Sequence, residues 1–157
     1  MKKLLRIVFP LLAIGWLIFI FANSAMDSEK SAQMSAGYSD TAIGIIEDIT
    51  DSSVTTEQQT IIVKVIRKTA HCLEFMLLSI LTFLAFSVNG HSVKGHLFFH
   101  LFLGLSVGLI DEAIQLSSEG RSSSVVDVFI DFSGFLLGVL LCLFIETLHK
   151  HRKEKCK

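Results

Sequence analysis

The sequence has little proline, few cysteines and no excess of basic residues. A single proline among 157 residues, beside thirteen phenylalanines, argues against a disordered or linker-rich chain. A net charge of −1 provides no basic face, so we expect no nucleic-acid partner. The three cysteines form no CxxC or Cys/His zinc pattern, and their odd number argues against a disulfide framework. At this length we expect one domain.

Apolar residues are concentrated in four blocks, which explains how a 51% hydrophobic content accompanies a mean hydropathy of +0.59. Each block has roughly the 20 residues that span a bilayer, and a chain this short cannot bury four helices that lack a polar face. We therefore predict an all-α membrane protein, a single transmembrane domain over 1–157 built as a four-helix bundle. The predicted spans are 5–22, 70–88, 97–116 and 125–145. The first block also fits a signal peptide, but its length favours a retained helix.

Basic residues predict which side of the membrane each segment faces. Most of them lie at the N-terminus and in the C-terminal tail 146–157, which the positive-inside rule assigns to the cytoplasm. The loop 23–66 carries seven acids against two lysines, so we expect it to be extracellular. The pattern predicts a multi-pass protein of the inner (plasma) membrane with both termini in the cytoplasm.

The long loop 23–66 contains two helix signals. Four apolar residues share one face and predict a short amphipathic helix, lying either on the outer membrane surface or against the bundle. These residues are Ala42, Ile45, Ile46 and Ile49. Farther along, Thr55 and Gln58 resemble a capping box, so a helix that begins there is expected to continue into the second span.

Each of the last three spans carries ionisable residues on one helical face. In the third and fourth spans these acids share a stripe with a GxxxG pair, Gly104 with Gly108 and Gly134 with Gly138. Because small residues let helices approach closely in lipid, we expect both stripes to face the bundle interior. The alternating directions of the spans bring the ionisable residues to one level near the outer side. We call the acids the carboxylate cluster: Glu74, Asp111, Glu112, Asp127 and Asp131.

Charges inside a span are costly, so the carboxylate cluster needs an explanation. One interpretation is a structural ion-pair network that ties the helices together, and another is a site that binds or processes a ligand. The acids outnumber the nearby fixed cations, which favours a site. His71 and the aspartates also offer ligands for a divalent ion, but their spacing is unspecific, so we assign no metal ligand and no cofactor.

The residue types suggest individual roles within such a site. Glu74 and Asp127 are candidate catalytic acids or bases, with His71 as a candidate proton carrier. The candidate ligand- and anion-binding residues are Arg67, Lys68, Arg121 and Gln115. The remaining acids, Asp111, Glu112 and Asp131, are expected to line the site.

The polar motifs, taken in order, resemble the VanZ-like family of bacterial membrane proteins. They are Arg67-Lys68-x-x-His71-x-x-Glu74-Phe75, Asp111-Glu112-x-x-Gln115, and Gly120-Arg121 followed by Asp127-x-x-x-Asp131-x-x-Gly134. The resemblance covers nearly the whole chain. Two positions depart from it, since Glu119 replaces a frequent proline and Asp131 replaces a frequent asparagine, which adds a negative charge to the carboxylate cluster.

The resemblance implies a function at the cell envelope. The family is named for a protein that confers low-level resistance to teicoplanin, a lipid-tailed glycopeptide that acts at the outer face of the bacterial membrane. We therefore expect a protein that binds or acts on an envelope lipid, a lipid-linked precursor or another amphiphile, with a contribution to glycopeptide tolerance. The alternative is a non-catalytic scaffold or binder whose charged cluster only holds the helices together. Whether the protein is an enzyme, and its oligomeric state, stay open.

Overall fold

The fold is a bundle of long helices, as a computed structural model shows for residues 2–91, 93–118 and 124–155. The helices are α1 (Lys2–Ser24), α2 (Ser28–Thr50), α3 (Thr56–Val88), α4 (Leu97–Leu116) and α5 (Val125–Lys155), and a 3₁₀ turn at Val93–His96 precedes α4. Four of them, α1, α3, α4 and α5, are long and apolar enough to cross a membrane. The predicted all-α fold with four membrane-spanning helices is confirmed.

The central helix of the bundle is α3, which packs most extensively against α5 and then against α1 and α2. Its contacts with α5 advance in the same direction along both chains, from Cys72 beside Gly134 to Met76 beside Gly138, so α3 and α5 are parallel. At the opposite end Arg6 Nε donates to the Val88 carbonyl oxygen at 3.0 Å. The start of α1 therefore lies beside the end of α3, and these two helices are antiparallel.

Glycines allow the closest helix contacts in the bundle. A Cβ atom built on Gly134 would lie 2.0 Å from the Cys72 carbonyl oxygen, and one on Gly138 would lie 2.6 Å from the Met76 carbonyl oxygen. On α4, Gly104 gives room to the ring of Phe135, which a Cβ there would approach to 2.5 Å. The prediction that both GxxxG stripes face the bundle interior is confirmed, since all four glycines are buried.

A compact apolar core lies where α1, α3, α4 and α5 meet. Its fully buried side chains are Ile20, Phe75, Leu78, Val107, Phe135 and Val139. Many other large apolar side chains point outward from the bundle, among them Leu11 on α1 and Phe129 on α5. An apolar outer surface of this extent is what helices surrounded by lipid present.

The start of α3 is where the capping box predicted it, whereas α2 is longer than the sequence indicated. The Thr55–Gln58 capping box is present, because Thr55 Oγ1 accepts from the Gln58 amide and Gln58 Oε1 accepts from the Thr55 amide. It starts α3 fourteen residues before the predicted span 70–88, and the helix is continuous from there. The loop helix α2 has 23 residues and is therefore not short.

The predicted apolar face of α2 is only partly in contact with the bundle. Ile45 and Ile49 are exposed, Ile49 at 78%. Ile46 lines a cavity together with residues of α3, and Ser39, which lies seven residues earlier on the same edge of α2, is buried. The helix therefore contacts α3 along one edge of its apolar face and leaves the other edge exposed.

Candidate functional site

The carboxylate cluster assembles at the end of the bundle where α1 and α4 end and α5 begins. Asp111, near the end of α4, is fully buried at 0% exposure. One of its oxygens accepts from Ser24 Oγ at 2.6 Å and the other from Gln115 Nε2 at 2.8 Å. The last turn of α1 and the last turns of α4 are thus joined through a single carboxylate. Hydrogen bonds to an ionised carboxylate are stronger than those between neutral groups.

Asp131 and Glu112 lie next to this junction, on α5 and α4. Glu112 Oε2 accepts from the backbone amide of Ser124 at 2.9 Å, which satisfies a free donor just before α5. The other oxygen, Glu112 Oε1, and Asp131 Oδ2 are buried and have no hydrogen-bond partner among the described residues. Asp131 is only 2% exposed. A buried carboxylate oxygen without a partner is costly, so these two atoms need a compensating group.

Lys68 and Asp127 form an ion pair at the rim of the cluster. Lys68 Nζ, on α3, donates to Asp127 Oδ1 in the first turn of α5. Both side chains are partly exposed, at 42% and 26%. The pair links the two parallel helices on the N-terminal side of their glycine contacts, and Asp127 neutralises the charge of Lys68.

Glu74 is held in place from α1. Asn23 Nδ2 donates to Glu74 Oε1 at 3.1 Å, and Trp16 Nε1 donates to the Glu74 backbone carbonyl at 2.9 Å. His71, one turn earlier on α3, has its Nδ1 atom 3.8 Å from Glu74 Oε2. Both ionisable side chains are partly buried, so α1 and α3 together fix an acid and an imidazole side by side.

A cleft of about 660 Å³ opens beside Glu74, between α1, α2 and α3. We call it the apolar cleft, because most of its wall is formed by apolar side chains such as Phe19, Met26, Met34, Ile66 and Leu73. Its basic and acidic residues are Arg67, His71 and Glu74, all on α3. An apolar cavity with a few convergent polar groups is the usual form of a site for a small molecule or lipid.

The predicted site residues fall into two adjoining groups. His71 and Arg67 border both the apolar cleft and a small cavity of about 20 Å³ on the other side of α3. That small cavity is also lined by Lys68, Glu112, Gln115, Asp127 and Asp131. Glu74 therefore belongs to the cleft, and Asp127 does not. The remaining candidate, Arg121, lies outside the described residues.

Three residues of the site were not assigned to it from the sequence. Trp16 and Asn23 bond to Glu74, and Ser118 Oγ donates to the Ser24 carbonyl oxygen at 3.1 Å. For Ser24 itself the sequence allowed either a helix cap or a place at the edge of the cluster, and the side chain bonds to Asp111. Asn23 and Ser24 are polar residues in the last turn of an apolar span, which is a signal for an interior polar contact. Trp16 carries no such signal, because a single tryptophan in an apolar helix is compatible with any position.

Comparison with known proteins gives one positive result. A family model described as VanZ/LLP1 matches residues 9–146, which include the whole of α3 and α4 and most of α1 and α5. No curated protein and no solved structure matches the chain.

Proposed function

The chain belongs to the VanZ/LLP1 family of membrane proteins, and from this we propose that it binds an envelope lipid, a lipid-linked precursor or a similar amphiphile. The observation that carries the proposal is the apolar cleft between α1, α2 and α3, with Arg67, His71 and Glu74 along one wall. Acyl chains fit the apolar wall. An anionic headgroup fits Arg67, whose guanidinium presents a fork of donors to phosphate or carboxylate.

The proposed orientation gives this cleft access to the outer leaflet. The basic N-terminus and tail are assigned to the cytoplasm of a cell with this protein in its inner membrane. The acidic segment between α1 and α3 then faces outward, and the polar wall of the cleft lies at the level of the outer headgroups. An amphiphile in that leaflet reaches the cleft without crossing the hydrocarbon.

A catalytic role is the further step of this proposal. Glu74 and His71 are adjacent and line the cleft, so they are the pair that can exchange a proton with a bound headgroup. Asp127 is bonded to Lys68 and lies outside the cleft, which gives it a supporting position instead. Sequestration of a lipid-tailed drug, or a change in the lipids it meets, would contribute to tolerance of teicoplanin-type glycopeptides.

One observation favours the alternative of a scaffold. Polar bonds join four elements at the cluster: Ser24 with Asp111, Asn23 with Glu74, and Lys68 with Asp127. Such bonds hold a bundle together whether or not it binds anything. In that case the loss of any one of them lowers the amount of folded protein in proportion to the loss of function.

Binding of labelled phosphatidylglycerol to the protein in nanodiscs tests the two proposals against each other. We expect Arg67→Gln to weaken binding of this anionic lipid by tenfold or more, since a charged hydrogen bond is worth roughly 1.5–3 kcal/mol. Phosphatidylcholine serves as the ligand control. Lys150→Gln is the matched variant, because Lys150 pairs only locally with Glu146.

The accumulation of each variant in membranes decides between binder and scaffold. Normal accumulation of Arg67→Gln with weakened lipid binding supports the site. Accumulation that falls in step with binding supports the scaffold, and unchanged binding contradicts the proposed role of Arg67. Growth in teicoplanin, compared with a glycopeptide that lacks a lipid tail, then tests the link to tolerance.

A further inference from the structure

Three helices bring one nitrogen ligand and two oxygen ligands to a single point in the bundle. His71 of α3, Asp111 of α4 and Asp131 of α5 each place a metal-ligating atom so that all three lie within 4.8 Å of one another. Atoms that bind one Zn²⁺ ion tetrahedrally at about 2.0–2.2 Å lie about 3.3–3.6 Å apart, so side-chain movements of about 1 Å would close the triangle. Both aspartates are buried.

The buried oxygens of the cluster supply the second observation. Asp131 is 98% buried, and its Oδ2 atom has no hydrogen-bond partner in the described part of the chain, which is also true of Glu112 Oε1. Lys68, which lines the same small cavity as Asp131, donates instead to Asp127. No described cation is bonded to Asp131. A buried carboxylate needs a compensating partner, which the described side chains do not supply.

The other contacts of the triangle support bound metal. Ser24 and Gln115 each donate to one oxygen of Asp111, which orients the carboxylate. Partners of this kind fix metal ligands and strengthen binding. The adjoining cavity of about 20 Å³ is large enough for one water molecule or ion.

We propose that His71, Asp111 and Asp131 form a binding site for one divalent transition-metal ion. One imidazole with two carboxylates suits Mn²⁺ or Zn²⁺ better than Ca²⁺, which takes oxygen ligands. Three protein ligands leave positions for water, which the small cavity can hold. Glu112 lines that cavity, and its buried Oε1 atom can accept from such a water. The site is distinct from the apolar cleft and shares only the His71 side chain with it.

Mn²⁺ is the suitable probe because the other histidines and the cysteine thiols of the chain hold it weakly. The full-length protein, purified in detergent with a chelator and then dialysed, is titrated with Mn²⁺ while the free ion is measured by electron paramagnetic resonance. We expect about one Mn²⁺ per chain, displaced by Zn²⁺. Asp131→Asn is expected to weaken Mn²⁺ binding by tenfold or more, because even the loss of a residue that only orients a metal ligand typically costs about that much affinity.

The matched control is Glu146→Gln, which removes a carboxylate of the same helix at its far end, where it pairs with Lys150. This variant is expected to bind Mn²⁺ like the unaltered protein. The proposal is overturned if the unaltered protein binds no Mn²⁺, or if Asp131→Asn binds it equally well. Lipid is not part of the measurement, so its outcome is separate from that of the phosphatidylglycerol assay.

A measurement on the unaltered protein covers the case in which Asp131→Asn does not fold. Electron spin echo spectra of bound Mn²⁺ report nitrogen in its coordination shell. Coupling to one imidazole nitrogen, lost in His71→Gln, supports the site. Bound Mn²⁺ without nitrogen coupling in the unaltered protein places the ion elsewhere and contradicts the proposal.

Discussion

At the scale of single residues, Asp111 is the best-satisfied carboxylate of the cluster. Both of its oxygens accept hydrogen bonds, and the side chain is fully buried. Asp131, on the facing helix, is almost as deeply buried and has an oxygen without a partner among the described residues. The two aspartates therefore differ in their surroundings. Asp111 is stabilised by neighbouring side chains, whereas Asp131 needs a cation or a water molecule.

Loss of the Ser24 hydroxyl should destabilise the bundle. Ser24→Ala removes a 2.6 Å bond and leaves one oxygen of buried Asp111 with fewer donors, which we expect to cost about 1–2 kcal/mol. Thermal unfolding in detergent measures the effect. Ser133→Ala is the control, because Ser133 is exposed and donates only within α5. Equal unfolding temperatures for both variants would contradict the role given to Ser24.

At the scale of helices, the contact between α3 and α5 determines the geometry of the cluster. The two helices run in parallel, and their backbones approach through Gly134 and Gly138. This contact positions His71 on one helix level with Asp131 on the other. The acids at the start of α5 also lie at the positive end of its helix dipole, which stabilises their negative charge.

Alanine at Gly134 should separate α3 from α5. A Cβ there would lie 2.0 Å from a backbone oxygen of Cys72, which cannot move aside alone, so we expect overpacking to cost about 1–3 kcal/mol. Gly108→Ala is the matched variant, since its nearest neighbours are 3.7 Å away, an ordinary contact. The unfolding temperature and the yield of monodisperse protein should fall for Gly134→Ala only. A stable Gly134→Ala protein would show that the contact is looser than described.

The apolar runs and their spacing were enough to predict the membrane-spanning helices and the stripes that face inward. The sequence also indicated that acids on three helices meet at one level, because alternating spans return to the same side. It did not reveal that Glu74 lines a cleft while Asp127 lies on the other side of α3. That separation depends on how the helices are rotated against one another. Rotation follows from contacts between helices, such as Gly134 with Cys72 and Phe135 with Gly104, which join residues that are far apart in sequence.

The length of α2 was also beyond prediction. Its first half is rich in serine, alanine and glycine and has no apolar stripe to indicate a helix, yet the chain is helical from Ser28 to Thr50. Contact with α3 supplies the stability that the local sequence lacks. The pattern of apolar residues within one segment cannot predict tertiary contacts of this kind.

At the scale of the whole molecule, the proposed orientation can be tested by labelling. We expect Ser52→Cys, between α2 and α3, to react with a membrane-impermeant maleimide on intact cells, because Ser52 is exposed on the side assigned to the outside. His149→Cys, exposed near the end of α5, should react only after permeabilisation. A Cys156→Ser background removes the thiol of the tail. The opposite labelling pattern would reverse the orientation and move the cluster to the inner leaflet.

The unequal lengths of the helices set how the protein fits a bilayer. With a rise of 1.5 Å per residue, the 33 residues of α3 extend about 50 Å, whereas the 20 residues of α4 extend about 30 Å, the thickness of the hydrocarbon layer. The long helices extend beyond the hydrocarbon layer and can still span a thicker membrane, whereas α4 has no extra length. Asp111 and Gln115 lie in its last two turns, so a thicker bilayer would draw them into the acyl chains. The shortest helix therefore determines which membranes suit this protein.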